Sequence, residues 1–466
     1  MRAWRWAVLA AYAALLLATA PAWPDGWDGV GFVESVRDFD LGRFRPHPPG
    51  YPVYVALLRL AAPLAGTPMR ACVLVAVTSG LVAALLAWDA ARRCAGERAA
   101  WAVATLVATA PSVWRACNGV GSEGPALACA AACVWGLVAA GRGARSTSAA
   151  IVLGLGAGLG LGVRLSWAPL YVAALALVSG ADRKRAWTTA TVASATWAFP
   201  FVAWIGPAKL GGLFAEHFGG HAAHWGGTAW TEPGPVRALW LARDILVDGF
   251  GLESGALGLV TTAVFAIAAG QALRAWRAAG WLGWRVCLGL AVPYLIWIGL
   301  GQNLRDQPRH ALPLVALLAA GLALPAAGSR RAFAVVGALA WMVSLRTALD
   351  AYERRTIPPP GQQLVDLARE QPSPDRLTVF GVASVRFFEM TELASRALAV
   401  GSLGEARMEL TRANELPARV WVTGEVAGIG DSRWPLQPFA RLCRPVRLER
   451  ARPCLDVYEW ALGAGR

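Results

Sequence analysis

Charged residues are scarce in this chain. Asp, Glu, Lys and Arg make up 16% of its 466 residues, and 56% are hydrophobic. A soluble domain carries about 25% charged residues. With a mean hydropathy of +0.44, the balance excludes a soluble globular protein and fits a polytopic membrane protein. The eight cysteines form no CxxC pair and no zinc-type spacing. Cys72, Cys117, Cys129, Cys133 and Cys287 fall in or beside apolar segments, where a thiol behaves as a small hydrophobe. No internal repeat is evident along the chain.

What the chain has in quantity is apolar runs. Residues 5–22 form the first, with Arg2 and Arg5 in front. Ala18-Thr19-Ala20 would suit a signal-peptide cleavage site, but the many runs that follow favour a retained helix. Residues 51–65 are interrupted by Arg59, fall short of a span, and read as an interfacial or re-entrant helix. Further runs occupy 70–88, 99–114, 124–140, 149–163, 166–181, 187–205, 254–271, 286–301, 311–327 and 332–349, which with the first predicts eleven spans.

Charge tests that topology. With the N-terminus cytoplasmic, the inner segments hold fifteen basic and three acidic residues and carry twelve of the fourteen net positive charges. Arg92, Arg93, Arg98, Arg183, Lys184 and Arg185 are among them. This positive-inside bias accounts for the basic balance without nucleic acid as a partner. An odd number of spans then places residues 350–466 outside the cytoplasm, on the face of the first loop. The expected architecture is a mainly α polytopic core over 1–349, with its first outer loop at 23–69, and a small α/β domain over 350–466. In that domain 362–370 has helical periodicity, and 376–381, 418–425 and 455–460 read as strands. Cys443 and Cys454 bracket a short basic segment there and suit a disulfide if the domain is extracytoplasmic.

The first outer loop is dense in functional side chains. Asp25, Asp28, Glu34, Asp38 and Asp40 precede a rigid His-Pro-Pro-Gly-Tyr-Pro run that presents His47 and Tyr51 at low entropic cost. Asp28 and Phe32, four apart, would share one helix face. A solvated acidic loop with a proline-defined turn is the plainer alternative. Three more groups stand at predicted outer span ends: Glu123, Arg164, and the cluster Arg305, Arg309 and His310. Intramembrane ionisable residues face a cavity or a partner by default, although helix-end arginines also snorkel. His217, His221 and His224 have the spacing of one helical face, yet Gly219, Gly220, Gly226 and Gly227 weaken a helix there. A hydrogen-bonding wall with Trp225 and Trp230 as sugar-stacking surfaces is favoured over a zinc site. No cofactor is assigned, and a divalent metal stays open.

The stretch WDGVGFVESVRDFDLGRFRPHPPGYPVYV, residues 27–55, resembles the first extracytoplasmic loop of the GT-C superfamily of membrane glycosyltransferases. It is similar to the bacterial protein O-mannosyltransferase-like, polyprenyl-phosphate-sugar-dependent branch. SEGPAL at 122–127, GLGLGVRLSWAPL at 158–170 and RHALPL at 309–314 extend the resemblance. It implies transfer of a sugar from a lipid-linked donor to a glycan, lipid or protein acceptor at the outer face of a bacterial plasma membrane. It also implies that an early-loop Asp activates the acceptor. Asp28 matches that position, but Asp28-Gly29 replaces the Asp-Glu or Asp-Ser of many relatives, so Asp25 remains the alternative. A positioned carboxylate suits the proton an acceptor hydroxyl must lose, and Arg309 suits a leaving lipid phosphate.

Two other readings compete. A transporter or flippase of lipid-linked sugars would carry midplane ionisable groups and internal repeats, whereas most charges here sit at span ends. A non-catalytic assembly partner would leave the acidic loop without a role.

Overall fold

The computed structural model describes residues 2–141, 147–223, 226–276, 282–305, 307–412, 417, 419–429, 434–445 and 453–460. The chain divides into two compact units, Met1–Ala20 with Asp40–Tyr352, and Pro21–Phe39 with Glu353–Arg466. The expected split differs at one point. The early part of the first outer loop groups with the C-terminal residues rather than with the membrane core.

The first unit is helical, with a helix at each of the eleven apolar runs. Among the described residues, five helices are long and apolar enough to cross a membrane unaided, or six if the pair Ala181–Ile205 and Pro207–Gly220, bent by 98°, is one broken span. The chain is thus an integral multi-pass membrane protein, while helix length by itself supports fewer than eleven spans. Local chemistry explains the short helices. The run at 99–114 is divided because Pro111 lacks the N–H needed to continue the helix Glu97–Thr109, and a new helix begins there. The run at 166–181 ends at Leu177, where Val178 turns extended and Gly180 takes a φ of 67°. Conversely, Pro68–Ala95 is long and well bounded. The Thr67 hydroxyl accepts from Arg70 N, and Gly96 stops the helix at a φ of 84°.

Small residues set the helix spacing. The helix Thr147–Val163 lies so close to Ala181–Ile205 that a Cβ at Gly154 would stand 2.6 Å from Ala186 O, and one at Gly158 2.5 Å from Ala190 O. Such close approach supplies the van der Waals packing that replaces hydrophobic burial in lipid.

The second unit is built on a five-stranded sheet of strands β1 (Leu377–Gly381), β2 (Ala397–Ala399), β3 (Arg419–Thr423), β4 (Leu436–Cys443) and β5 (Cys454–Trp460), in the order β2-β1-β3-β5-β4. β1 runs parallel to β2 and β3, and β5 runs antiparallel to β3 and β4. Three strands correspond to the runs read from sequence; β2 and β4 do not. The period-two pattern separates two cores. Leu377, Val379, Trp421, Leu455 and Val457 pack on one face with Leu364 and Val365 of the helix Pro360–Arg369, while Phe380, Val420 and Val422 pack on the other with Leu403, Ala406 and Leu410 of the helix Leu403–Arg412. Covering both faces requires near-continuous apolar strands. Val30, on the helix Gly26–Ser35, is fully buried in the first of these cores, which is why residues 21–39 belong to this unit. Cys443 and Cys454 are disulfide-bonded across β4 and β5.

Candidate functional site

In the membrane unit the predicted groups assemble at helix ends. Glu123 opens the helix Glu123–Gly141, Arg164 follows the last residue of Thr147–Val163, and Arg309 lies in the 3-10 turn Pro308–Ala311. Arg164 Nη1 donates to Glu123 Oε1 at 2.8 Å and to Ser122 Oγ at 2.9 Å. Arg309 Nε stands 3.8 Å from the same carboxylate oxygen. The Arg164 side chain is only 3% exposed and Glu123 11%, whereas Arg309 keeps 31%. The charged pair is therefore largely withdrawn from solvent, and Arg309 presents the cluster's accessible guanidinium. Gly121 permits this arrangement, since a Cβ there would lie 2.1 Å from Glu123 Oε2.

The His-Pro-Pro-Gly-Tyr-Pro run leads to the same place. The Tyr51 hydroxyl and His47 Nε2 are hydrogen-bonded at 2.7 Å, and both residues are buried. Gly50, at a φ of 98°, is tightly enclosed, because a Cβ would meet Phe201 at 2.8 Å and Leu41 at 3.1 Å. Tyr51 caps the helix Pro52–Ala65 in the left-handed region, at a φ of 50°. Val53 of that helix packs on Gly162, two residues before Arg164, where a Cβ would lie 2.4 Å from Val53 Cγ2. Tyr54 is fully buried beside Cys72 and the Gly121 backbone.

Other expected members lie apart. Arg305 pairs with Glu232 at 2.6 Å and is exposed, so it joins a loop contact rather than the Glu123 cluster. His310 is buried, and its carbonyl accepts from the Tyr294 hydroxyl at 2.9 Å. The helix Pro207–Ala223 forms despite Gly211, Gly212, Gly219 and Gly220. A penalty of about 1 kcal/mol per glycine relative to alanine is small enough for context to override. His217 lies 6.3 Å from the His47 ring. His221 is on this helix with its side chain outside the described residues, and His224 and Trp225 lie outside them altogether. Trp230 is exposed. Among the described residues, no group of three His, Cys, Asp or Glu side chains is disposed to hold a metal ion.

The second unit separates the two candidate carboxylates. Asp25 Oδ2 accepts from Arg354 Nε at 2.6 Å, and Oδ1 accepts from Arg444 Nη1 at 3.1 Å. Arg444 also donates to the Arg354 carbonyl at 3.2 Å. Burial pushes the Asp25 carboxyl upward, but the charges of Arg354 and Arg444 and their hydrogen bonds outweigh it and hold the group below its ordinary value. Asp28 is buried on the helix Gly26–Ser35, on the same face as Phe32. The neighbouring Gly29 lets that helix approach Pro24, whose Cβ would lie 2.9 Å from an added Cβ.

Sequence reasoning missed Ser122, Arg354 and Arg444. Arg354 reads as an ordinary helix-end arginine, and no local pattern links Asp25 to residues 329 and 419 positions away. It also passed over Asp244 and Asp248, buried on the π-turn Asp244–Asp248, which packs against the turn carrying Arg309. Such turns often mark functional segments.

Comparisons with known proteins agree with this architecture. Residues 46–205 match the model of the dolichyl-phosphate-mannose-protein mannosyltransferase family. The structure of ArnT from Cupriavidus metallidurans bound to undecaprenyl phosphate superposes with a TM-score of 0.59 at 13% identity, covering 98% of this chain and 97% of that one. The Archaeoglobus fulgidus oligosaccharyltransferase tethered to an acceptor peptide gives a TM-score of 0.48 at 14% identity, covering 91% of this chain and 69% of that one. No curated protein sequence matches the chain. Residues 46–205 thus resemble that mannosyltransferase family, and the chain shares its overall fold with the ArnT structure.

Proposed function

We propose that this protein is a membrane glycosyltransferase that moves a sugar from a polyprenyl-phosphate donor to an acceptor at the extracytoplasmic face, with Asp28 as the base. The observation that carries the reading is the likeness over nearly the whole chain to ArnT, whose structure holds undecaprenyl phosphate. In the proposed step the acceptor O–H gives its proton to the Asp28 carboxylate as its oxygen bonds to the anomeric carbon. The bond from that carbon to the phosphate oxygen breaks, and the lipid phosphate leaves with the electron pair. Arg309, partly exposed beside Glu123, suits a lipid phosphate. His47 and Tyr51 shape the acceptor or sugar subsite. Asp25 serves as the alternative base poorly, because a carboxylate held below its ordinary pKa by two arginines is a weaker proton acceptor.

The test is an assay of membranes containing the protein with a panel of polyprenyl-phosphate sugars, with and without chelator, followed by product identification. The expected result is transfer of one donor's sugar by the wild type and its loss in Asp28→Asn. Movement of lipid-linked sugar across vesicles without a glycosylated product would overturn the enzyme reading in favour of a transporter. Orientation is tested separately by cysteines introduced at 357–361, which are expected to react with an impermeant reagent from outside. Labelling from the cytoplasm alone would refute the outward site.

A further inference from the structure

At the opposite helix ends of the membrane unit, a groove of ≈ 390 Å³ separates the first helix from the hairpin of Pro68–Ala95 and Glu97–Thr109. Its rim is cationic and aromatic. The Arg5 guanidinium lies 4.4 Å from the centre of the Trp88 ring, and Arg92 reaches the same ring at 5.4 Å. Trp101 stands 5.9 Å from Trp88 and donates to Glu97, which also pairs with Arg5 at 2.9 Å. Counting Arg5, Arg92, Arg93 and Arg98 against Asp89 and Glu97, these helix ends carry four positive charges and two negative. Below the rim the lining is almost wholly apolar, with Val8, Leu9, Ala84, Leu85, Ala104 and Ala108. It extends from Arg5 to Tyr12, seven residues along the first helix, or about 10 Å.

We propose that this groove holds one chain of an anionic phospholipid, with the phosphate at the arginine–tryptophan rim. The excess positive charge selects a negative headgroup, and the apolar trough beneath it requires a hydrocarbon tail rather than a free anion. Tryptophan and arginine at a bilayer boundary are the residues that anchor at headgroup depth, and positive-inside counting assigns this rim to the cytoplasmic leaflet. The bound chain fills space between the first helix and its neighbours and ties that helix to the unit. The site is separate from the Glu123–Arg164–Arg309 cluster, which lies at the other ends of these spans, and does not depend on the proposed transfer activity.

Native mass spectrometry of the purified full-length protein in detergent, titrated with phosphatidylglycerol or with phosphatidylcholine of the same chains, tests the assignment. Wild type is expected to retain phosphatidylglycerol in preference to phosphatidylcholine. Arg5→Gln should weaken phosphatidylglycerol roughly fivefold, the effect of one surface arginine on anionic-lipid binding. Ala84→Phe, which keeps the rim charges and fills the trough, should abolish retention. The Tm of each variant without lipid reports folding, and Ala84→Phe keeps the test decisive if Arg5→Gln fails to fold. Equal retention of both lipids, or undiminished phosphatidylglycerol binding by folded Ala84→Phe, would overturn the proposal. So would occupancy of the groove by added undecaprenyl phosphate in preference to phosphatidylglycerol.

Discussion

Glu123 and Asp25 are each approached by two arginines, yet their settings differ. Glu123 meets Arg164 and Arg309 where membrane helices end, and one of its partners stays partly accessible. Asp25 meets Arg354 and Arg444, whose side chains are 3% and 1% exposed, and both of its oxygens are engaged. The first arrangement keeps Arg309 partly exposed. The second fastens an N-terminal segment to the far end of the chain. Similar residue types thus serve as a candidate binding site in one unit and as a staple in the other, and Asp28, three residues beyond the staple, is the better candidate for chemistry.

The largest effect separates Asp28 from Asp25. Asp28→Asn is expected to lower sugar transfer by about 10²–10⁴-fold, the usual contribution of a positioned base, with insertion and Tm preserved. Asp25→Asn should retain measurable transfer, and complete loss in that variant at unchanged stability would reverse the assignment. Next, Arg164→Ala leaves Glu123 buried beside a lost partner and should destabilise the membrane unit by about 3–5 kcal/mol, read as a fall in detergent-solubilised Tm. An unchanged Tm would show that Arg309 and water compensate. Arg309→Ala, at the accessible position, is expected to impair donor binding with a smaller change in Tm, so the two variants together distinguish holding the site from using it.

Smaller still is the staple itself. Asp25→Asn removes charge-assisted hydrogen bonds and should cost the second unit about 1.5–3 kcal/mol, measured as an earlier unfolding transition. Its pH dependence has a definite sign. Because the folded carboxyl lies below its ordinary value, its stabilisation is complete above about pH 4, the unfolded aspartate range, and is lost only as pH falls through the lowered folded value. Wild type should therefore lose its advantage over Asp25→Asn under acid. An advantage that disappeared near neutral pH would remove the Asp25 staple.

Much of the fold was legible because its causes are local. Apolar runs bounded by proline, glycine and arginine marked the membrane helices, and runs of apolar residues marked β1, β3 and β5. β4 was missed because its residues are mostly exposed or half-buried and it contains Pro438, while β2 is three residues long. The helix at 207–223 was underrated because glycine propensity is a weak prior. The Glu123, Arg164 and Arg309 candidates were visible as charges at span ends, but Ser122 and Arg444 had no such signal.

By itself, the sequence determined that the protein lives in a membrane, with an excess of positive charge and an acid-rich first loop beside a rigid proline run. Those properties follow from hydropathy, charge count and backbone restriction, each carried by neighbouring residues. Only tertiary structure decided which arginines meet which carboxylates, and that residues 21–39 fold with the C-terminal sheet. Ion pairs across 329 and 419 positions and the burial of Val30 in a distant core depend on where the chain returns in space, which no local pattern encodes.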